Sequence, residues 1–297
     1  CGTRAYLKSA ASLPFGRCAV SRFAVCVALF VLESCHFGVQ PPIFRISALY
    51  ADKFEPMPRF YLSEVLSAGR AVSLPDNVVR HLHVLRLKPD EEIVLFNGDG
   101  KAYPARLGVL EKRRATAEIL REEEADNESP LNITLVQAVS SGERMDFTLQ
   151  KSVELGVGEI RPVLSERCVV RLDGERAAKR VARWQEIVVS ACEQSGRNTV
   201  PQVLPLVSYQ EALRQMPSEK TKLLMSVQNA QKLNRITPSS DGLIFMVGPE
   251  GGWTESEEQQ AFGAGFQAVT LGPRVLRTET ASLAAIAAMQ TLWGDFV

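Results

Sequence analysis

The stretch LIFMVGPEGGWTESE, from Leu243 to Glu257, decides the fold prediction for this chain. Its first five residues are apolar, as is typical of a strand buried on both faces. The loop Gly248–Gly252 follows at once, and Thr254 with Glu257 has the spacing of a capping box, which begins a helix. A buried strand, a glycine loop and a capped helix together indicate a βα unit and are typical of a ligand site, although a tight βα turn without a ligand explains the loop equally well.

The same alternation of strands and helices extends over the C-terminal half of the chain. We predict strands at Leu131–Val139, Ile160–Leu164, Lys222–Val227, Leu243–Val247 and Gln267–Leu271. We predict helices at Arg144–Leu155, Glu175–Gln194 and Ala281–Trp293, and one more after Gly252. This order predicts an α/β fold with a mainly parallel sheet covered by helices.

The segment before this region has the pattern of a small β domain. Glu92–Phe96 and Lys101–Leu107 flank the turn Asn97–Gly100, which predicts a β-hairpin. Arg114–Leu120 alternates like a further strand, so a small barrel is expected. The acidic stretch Arg121–Pro130 lacks apolar periodicity and is interpreted as a linker.

Composition excludes some classes of partner and site. Lysine plus arginine equals aspartate plus glutamate at 34 each, so RNA binding would depend on local basic patches. The six cysteines show no metal-binding spacing, which favours the reducing cytoplasm and predicts no metal site. The apolar run Phe23–Leu32 has the layout of a signal-peptide core and is too short for a membrane span. We interpret residues 1–56 as a disordered or non-native extension ahead of a natural start at Met57.

A second loop, LGPRVLRTETA from Leu271 to Ala281, also joins a strand to a helix. Because the carboxyl ends of parallel strands lie at one edge of a sheet, the two loops are expected to share one pocket. Thr278 or Thr280 would also serve as an ordinary helix N-cap, and Glu279 would suit the positive end of the helix dipole. Arg277 is different, because a cation beside a helix N-terminus needs an anion to face.

Two further motifs lie at predicted helix ends. QKSVELGV, from Gln150 to Val157, places Gly156 in the position of a C-cap glycine. EQSGRN, from Glu193 to Asn198, ends a long helix in a polar turn. Each is equally consistent with a plain helix end.

The motifs KSVELGV, SERCVV, CEQSGR, GPEGG and LGPRVLRTETA, in this order and approximate spacing, resemble the small-subunit ribosomal RNA uracil-N3 methyltransferases of the SPOUT superfamily. The resemblance runs from Met57 to the C-terminus. It implies a SPOUT-type parallel sheet with a C-terminal trefoil knot at 129–297, preceded by a PUA-like β-barrel at 57–128. It also implies a homodimer that binds no membrane, with S-adenosyl-L-methionine as cofactor. The implied substrate is 16S rRNA of the small ribosomal subunit, at the uracil conventionally numbered 1498.

Site residues follow from this resemblance and from the loops. For the cofactor we predict Met225, Gly248, Glu250, Gly252, Leu271, Gly272 and Leu276, although Met225 in a core strand is equally explained by packing. For catalysis we predict Arg277 first and Arg197 second, as cations that stabilise an anionic base, with Glu279 or Glu250 as proton acceptor or as a partner for the arginine. For RNA phosphates we predict Arg59, Arg80, His81, His83, Arg86, Lys88, Arg167 and Arg171.

Three alternatives stay open at this stage. His81 and His83 are two residues apart, which favours a shared strand face over a metal site. A non-catalytic RNA-binding assembly factor would keep the fold without the chemistry. A ribose 2′-O-methyltransferase of the same superfamily would share the fold and the cofactor.

Overall fold

The computed structural model describes residues 57–124, 127–226 and 230–296. The expectation for residues 1–56 lies outside the described residues, and residues 57–297 form one compact unit. Within the described part, no helix is both long enough and apolar enough to cross a membrane.

The first half of this unit is a six-stranded sheet that curves into an open barrel, with an apolar core of its own. Its strands follow the order β1-β3-β4-β5-β2, and β6 pairs with β4. They are β1 (Arg59–Tyr61), β2 (Ala71–Leu74), β3 (Glu92–Phe96), β4 (Lys101–Leu110), β5 (Ala115–Ile119) and β6 (Glu123–Glu124).

The predicted hairpin is confirmed, since β3 and β4 are antiparallel neighbours on either side of Asn97–Gly100. Gly98 and Gly100 have φ values of +95° and +91°, the left-handed region that glycine adopts without strain. The Asn97 side chain accepts the amide of Asp99 at 3.2 Å, which closes the turn locally. The predicted strand Arg114–Leu120 is present as β5, one residue shorter at each end.

The barrel also contains a helix that the sequence analysis did not predict, α1 (Asp76–Val84). Its buried residues Val78, Val79 and Leu82 recur at helical spacing. The expectation that His81 and His83 share a strand face is therefore wrong, because residues two apart on a helix point in different directions. His81 packs edge-on against Phe60 with ring centres 5.3 Å apart, whereas Nε2 of His83 lies 3.0 Å from the carbonyl of Glu111.

The second half contains an eight-stranded sheet, and its strand pairings within the described residues are all parallel, as predicted. The strand order is β10-β8-β7-β13-β11-β14-β12, and β9 pairs with β8. The strands are β7 (Ile133–Ala138), β8 (Glu159–Leu164), β9 (Gln202–Val203), β10 (Val207–Ser208), β11 (Thr221–Met225), β12 (Gln231–Lys232), β13 (Leu243–Val247) and β14 (Gln267–Thr270).

The helices of this half are α2 (Gly142–Glu154), α3 (Gly174–Ser195), α4 (Tyr209–Arg214), α5 (Glu255–Gly263) and α6 (Thr278–Trp293), with a 3₁₀ turn at Leu233–Arg235. All residues of β7 and β13 are buried, so these central strands are covered on both faces. The predicted boundaries hold to within a few residues; α6 begins three residues earlier than expected, at Thr278.

Strand order explains where a site can form. β13, β11 and β14 are consecutive neighbours in the sheet and run parallel. Their carboxyl ends, at Val247, Met225 and Thr270, therefore open onto the same edge.

Candidate functional site

A cavity of about 790 Å³ lies at this edge of the sheet, and the two glycine-containing loops both line it. The loop after Val247 contributes Gly248–Trp253, and the loop after Thr270 contributes most of 271–277. The expectation that the two loops form one pocket is confirmed. All seven residues predicted for the cofactor line this cavity: Met225, Gly248, Glu250, Gly252, Leu271, Gly272 and Leu276.

The first loop turns tightly and is closed by its own backbone. The amide of Gly252 donates to the carbonyl of Pro249 at 2.9 Å, and Gly252 has φ +68°. A Cβ on Gly248 would lie 3.3 Å from the Trp253 ring, so the backbone here passes close to an aromatic face. The predicted capping box is present, with the Thr254 hydroxyl accepting from the Glu257 amide and the Glu257 carboxylate accepting from the Thr254 amide. The loop is thus bounded by a fixed helix start.

Glu250 connects this loop to the start of α2. Its Oε1 accepts from the amide of Ser141 at 2.9 Å and from Nη1 of Arg144 at 3.1 Å. Burial would raise the pKa of this carboxyl group, but the hydrogen bonds from Ser141 and Arg144 outweigh it and lower the pKa. A carboxylate beside a helix N-terminus is also favoured by the helix dipole. Glu250 therefore holds the loop in place as well as lining the cavity.

The SERCVV segment supports the loop from another side. Nη1 of Arg167 donates to the carbonyls of Gly251 and Trp253, both at 3.0 Å. The buried Glu257 accepts the amide of Glu166 at 2.9 Å. Arg167 was predicted as a phosphate contact, and the structure shows it bound to the glycine loop, where it also lines the cavity.

Thr278 joins the two loops. Its hydroxyl donates to the carbonyl of Gly248 at 2.6 Å and accepts from Nε2 of Gln137 at 3.0 Å. Ser282 donates to Oε1 of Gln137 at 2.7 Å, which fixes the orientation of the amide. The expectation of an N-cap at Thr278 or Thr280 is wrong, because Arg277 occupies the N-cap position and Thr278 is buried in the first turn of α6. Thr278 and Gln137 hold the two loops together, and sequence reasoning missed this contact because the partners of Thr278 are 30 and 141 residues away.

Arg277 and Glu279 both line the cavity. Arg277 is exposed at the N-cap of α6, and its side chain makes no cap hydrogen bond. Oε2 of Glu279 is buried and has no hydrogen-bond partner among the described residues. Within the part of the chain that the structure describes, Arg277 has no ion pair and this Glu279 oxygen has no donor, so both are groups that a bound molecule could engage.

Arg197, the second predicted catalytic cation, is occupied elsewhere. It is buried, and Nη1 donates to the carbonyls of Val153 and Val157 at 2.9 and 2.8 Å. Its Nε and Nη2 pair with the Glu128 carboxylate, the shortest contact being 2.5 Å. It is absent from the cavity lining. The catalytic assignment of Arg197 is therefore corrected: it binds the end of α2 and the segment that leads from the barrel.

The remaining residues predicted for RNA are not among the residues that line the cavity. Arg80, His81, His83, Arg86 and Lys88 are exposed on α1 and the turn that follows it. Arg171 is exposed, and its guanidinium donates to the carbonyl of Glu166. Arg59 is half-buried and donates to Oδ1 of Asn198. Within the described residues, no group of three or more His, Cys, Asp or Glu side chains is placed to bind a metal ion.

Comparison with known proteins identifies the two halves. Residues 127–290 match the model of an RNA methyltransferase domain, and residues 74–120 match that of an RNA methyltransferase PUA domain. The chain is 32% identical over 240 residues to ribosomal RNA small subunit methyltransferase E of Buchnera aphidicola, which covers 80% of this chain and 98% of the relative.

Solved structures agree with this. The crystal structure of ribosomal RNA small subunit methyltransferase E from Neisseria gonorrhoeae, bound to S-adenosyl methionine, is 74% identical with a TM-score of 0.79. The match covers 82% of this chain and 100% of the Neisseria gonorrhoeae chain. A Legionella pneumophila protein, solved in complex with the bound cofactor SAM, is 36% identical to this chain with a TM-score of 0.78. The match covers 81% of this chain and 100% of the Legionella chain. The resemblance seen in the sequence motifs is thereby confirmed, and the chain belongs to the SPOUT family of RNA methyltransferases that includes ribosomal RNA small subunit methyltransferase E.

Proposed function

We propose that this protein transfers a methyl group from S-adenosyl-L-methionine to N3 of a uracil in 16S rRNA, at the position conventionally numbered 1498. The observation that carries the proposal is the convergence of the loops after β13 and β14 on one cavity. The 74% identical Neisseria gonorrhoeae structure, which contains S-adenosyl methionine, supports the choice of cofactor.

The residues of the cavity fit that cofactor. Its volume of about 790 Å³ is in the range of small-molecule sites. Gly248, Gly252 and Gly272 have no Cβ, so their backbone groups can approach a flat purine closely. Met225, Leu271 and Leu276 supply apolar cover for its face. Glu250 fixes the loop through Ser141 and Arg144.

S-adenosyl-L-methionine supplies an electrophilic methyl group. The chain's own contribution is to hold the uracil N3 in line with it, which can contribute up to ~7 to 11 kcal/mol of the barrier reduction. Neutral uracil carries a proton on N3, which must leave before or during attack. Glu279 accepts this proton in our assignment, and Arg277 stabilises the anionic base. Both line the cavity wall at the start of α6.

We further propose the partners and boundaries that this reaction requires. The barrel at 57–128 binds RNA through Arg80, His81, His83, Arg86 and Lys88. The domain at 129–297 catalyses the methyl transfer, and its Arg171 contacts an RNA phosphate. The protein acts as a homodimer in the cytoplasm on the small ribosomal subunit. The C-terminal trefoil knot stays a prediction, supported by the return of the chain from β13 across β11 to β14.

The test is methylation of small subunits taken from a strain that lacks the corresponding enzyme. Tritiated cofactor is supplied, and the labelled nucleotide is located by digestion and mass spectrometry. We expect one labelled uracil with the methyl on the base. A methyl on ribose would indicate the 2′-O-methyltransferase instead. If no RNA is labelled and calorimetry detects no binding of S-adenosyl-L-methionine, the protein would instead be an RNA-binding assembly factor.

A further inference from the structure

The motif from Glu193 to Asn198 contributes no residue to the cavity lining within the described chain. Four of its residues instead contact the barrel or the segment that follows it. Oε1 of Glu193 accepts the backbone amide of Tyr61 at 3.1 Å, and the Gly196 carbonyl accepts from Asn127 at 3.0 Å. Arg197 pairs with Glu128, and Oδ1 of Asn198 accepts a hydrogen bond from Arg59. The motif thus forms a junction between the two halves of the molecule.

The barrel side of this junction is built around Arg59 on β1. Its guanidinium donates to Oδ1 of Asn198 and lies over the Phe96 ring, 5.3 Å from the ring centre. Phe96 belongs to β3 of the barrel, yet it packs into the core of the methyltransferase half. Burial lowers the pKa of Arg59, as expected for a cation held between two packed elements. An arginine engaged in this way has little freedom to bind a phosphate.

We propose that Arg59, Glu193 and Asn198 are positioning residues for the methylation reaction, which fix the barrel on α3 so that RNA held by the barrel reaches the cavity in register. The inference rests on the proposed function. Domains in one chain move relative to each other unless their interface prevents it. A displacement of about 1 Å at a reacting centre can reduce the rate about 100-fold. Fixing β1 on α3 therefore affects use of the RNA substrate and leaves the cofactor loops unchanged.

Asn198→Ala is the decisive variant. Asn198 is 1% exposed, so its removal deletes the acceptor of Arg59 without deleting an RNA contact. We expect kcat/KM for small subunits to fall at least about 10-fold, while the Kd for S-adenosyl-L-methionine by calorimetry stays within about twofold. The slope of log affinity against log salt should not change, because no phosphate contact is lost. Asn198→Asp restores an acceptor for Arg59 and should recover most of the rate.

Arg106→Gln is the matched control. Arg106 is an exposed barrel arginine that pairs with Glu92 across β3 and β4, away from the junction, and its variant should keep wild-type kinetics. Wild-type kcat/KM in Asn198→Ala overturns the inference, even if that variant unfolds at a lower temperature. A parallel loss of cofactor affinity overturns it too, because the effect would then be general loosening.

Failure of the proposed function gives a different result. In that case the wild type itself labels no RNA, and the junction is judged by small-subunit affinity in filter binding. Asn198→Ala is expected to bind about 10-fold more weakly than wild type, and equal affinity overturns the inference.

Discussion

Thr278 lies where the two loops of the cavity meet. Thr278→Val keeps the shape of the side chain but leaves the Gly248 carbonyl and the Gln137 amide without this partner. A net hydrogen bond contributes about 0.5 to 1.5 kcal/mol, so we expect the Kd for S-adenosyl-L-methionine to rise about 2- to 10-fold in calorimetry. Thr280→Val is the control, because Thr280 is exposed on the same helical turn. Equal affinity of the two variants would contradict the role given to Thr278.

Arg277 is the cation that our mechanism places beside the reacting base. Arg277→Ala should abolish base methylation while S-adenosyl-L-methionine still binds, because the guanidinium is exposed at the cavity wall and holds no part of either loop. Loss of one positioned donor typically costs about 100- to 1000-fold in kcat. Steady-state methylation and calorimetry on the same preparation separate the two effects. Normal methylation by this variant would show that the catalytic assignment is wrong.

At the scale of elements, the end of α2 depends on one glycine. Gly156 has φ +87°, and a Cβ there would lie 2.5 Å from Nε2 of Gln290, which itself donates to the carbonyl of Leu155. Gly156→Ala combines backbone strain with a clash, and we expect a loss of about 1 to 3 kcal/mol of unfolding free energy in urea titrations.

Gly263→Ala provides the matched comparison for that prediction. Gly263 ends α5 with no neighbour within 4 Å of an added Cβ and no positive φ. Alanine in such a site is expected to stabilise by about 0.4 to 1 kcal/mol. If both alanine variants changed stability in the same direction, the steric explanation for Gly156 would fail.

The elements also show which patterns in the sequence carry structural information. The turn Asn97–Gly100, the strand LIFMV and the capping box from Thr254 to Glu257 are all present as predicted, because each depends on interactions within a few residues. Helix α1 was not predicted, because it has only nine residues and polar residues interrupt its apolar ones. Its existence is decided by burial of Val78, Val79 and Leu82 in the barrel core.

At the scale of the whole molecule, Glu193 makes stability depend on pH. Burial raises the pKa of its carboxyl group, against the hydrogen bond from the Tyr61 amide and the charge of His81. When the pKa of a carboxyl group is higher in the folded state than in the unfolded state, its contribution to stability is complete at pH values below the unfolded pKa. That contribution is lost as the pH rises through the folded pKa. Glu193→Gln removes the buried charge and keeps the acceptor for Tyr61. We therefore expect it to unfold at a higher temperature than wild type at pH 8.

The difference in unfolding temperature should shrink as the pH falls towards about 4, where most wild-type carboxyl groups are neutral in both states. Calorimetric scans at pH 4, 6 and 8 measure this. Glu186→Gln is the control, because Glu186 is exposed on the same helix. A Glu193→Gln variant less stable than wild type at pH 8 would contradict the prediction.

The sequence by itself determined the α/β alternation, the hairpin, the capping box from Thr254 to Glu257 and the two loops expected to form a pocket. These features depend on residues close together in the chain and on the rule that parallel strands share one carboxyl edge. Only the tertiary structure decided that Arg197 pairs with Glu128, that Thr278 joins the loops through Gly248, and that Asn198 binds Arg59. Such pairs are separated by 30 to 139 residues, and a side chain's partner at that distance is fixed by packing of whole elements.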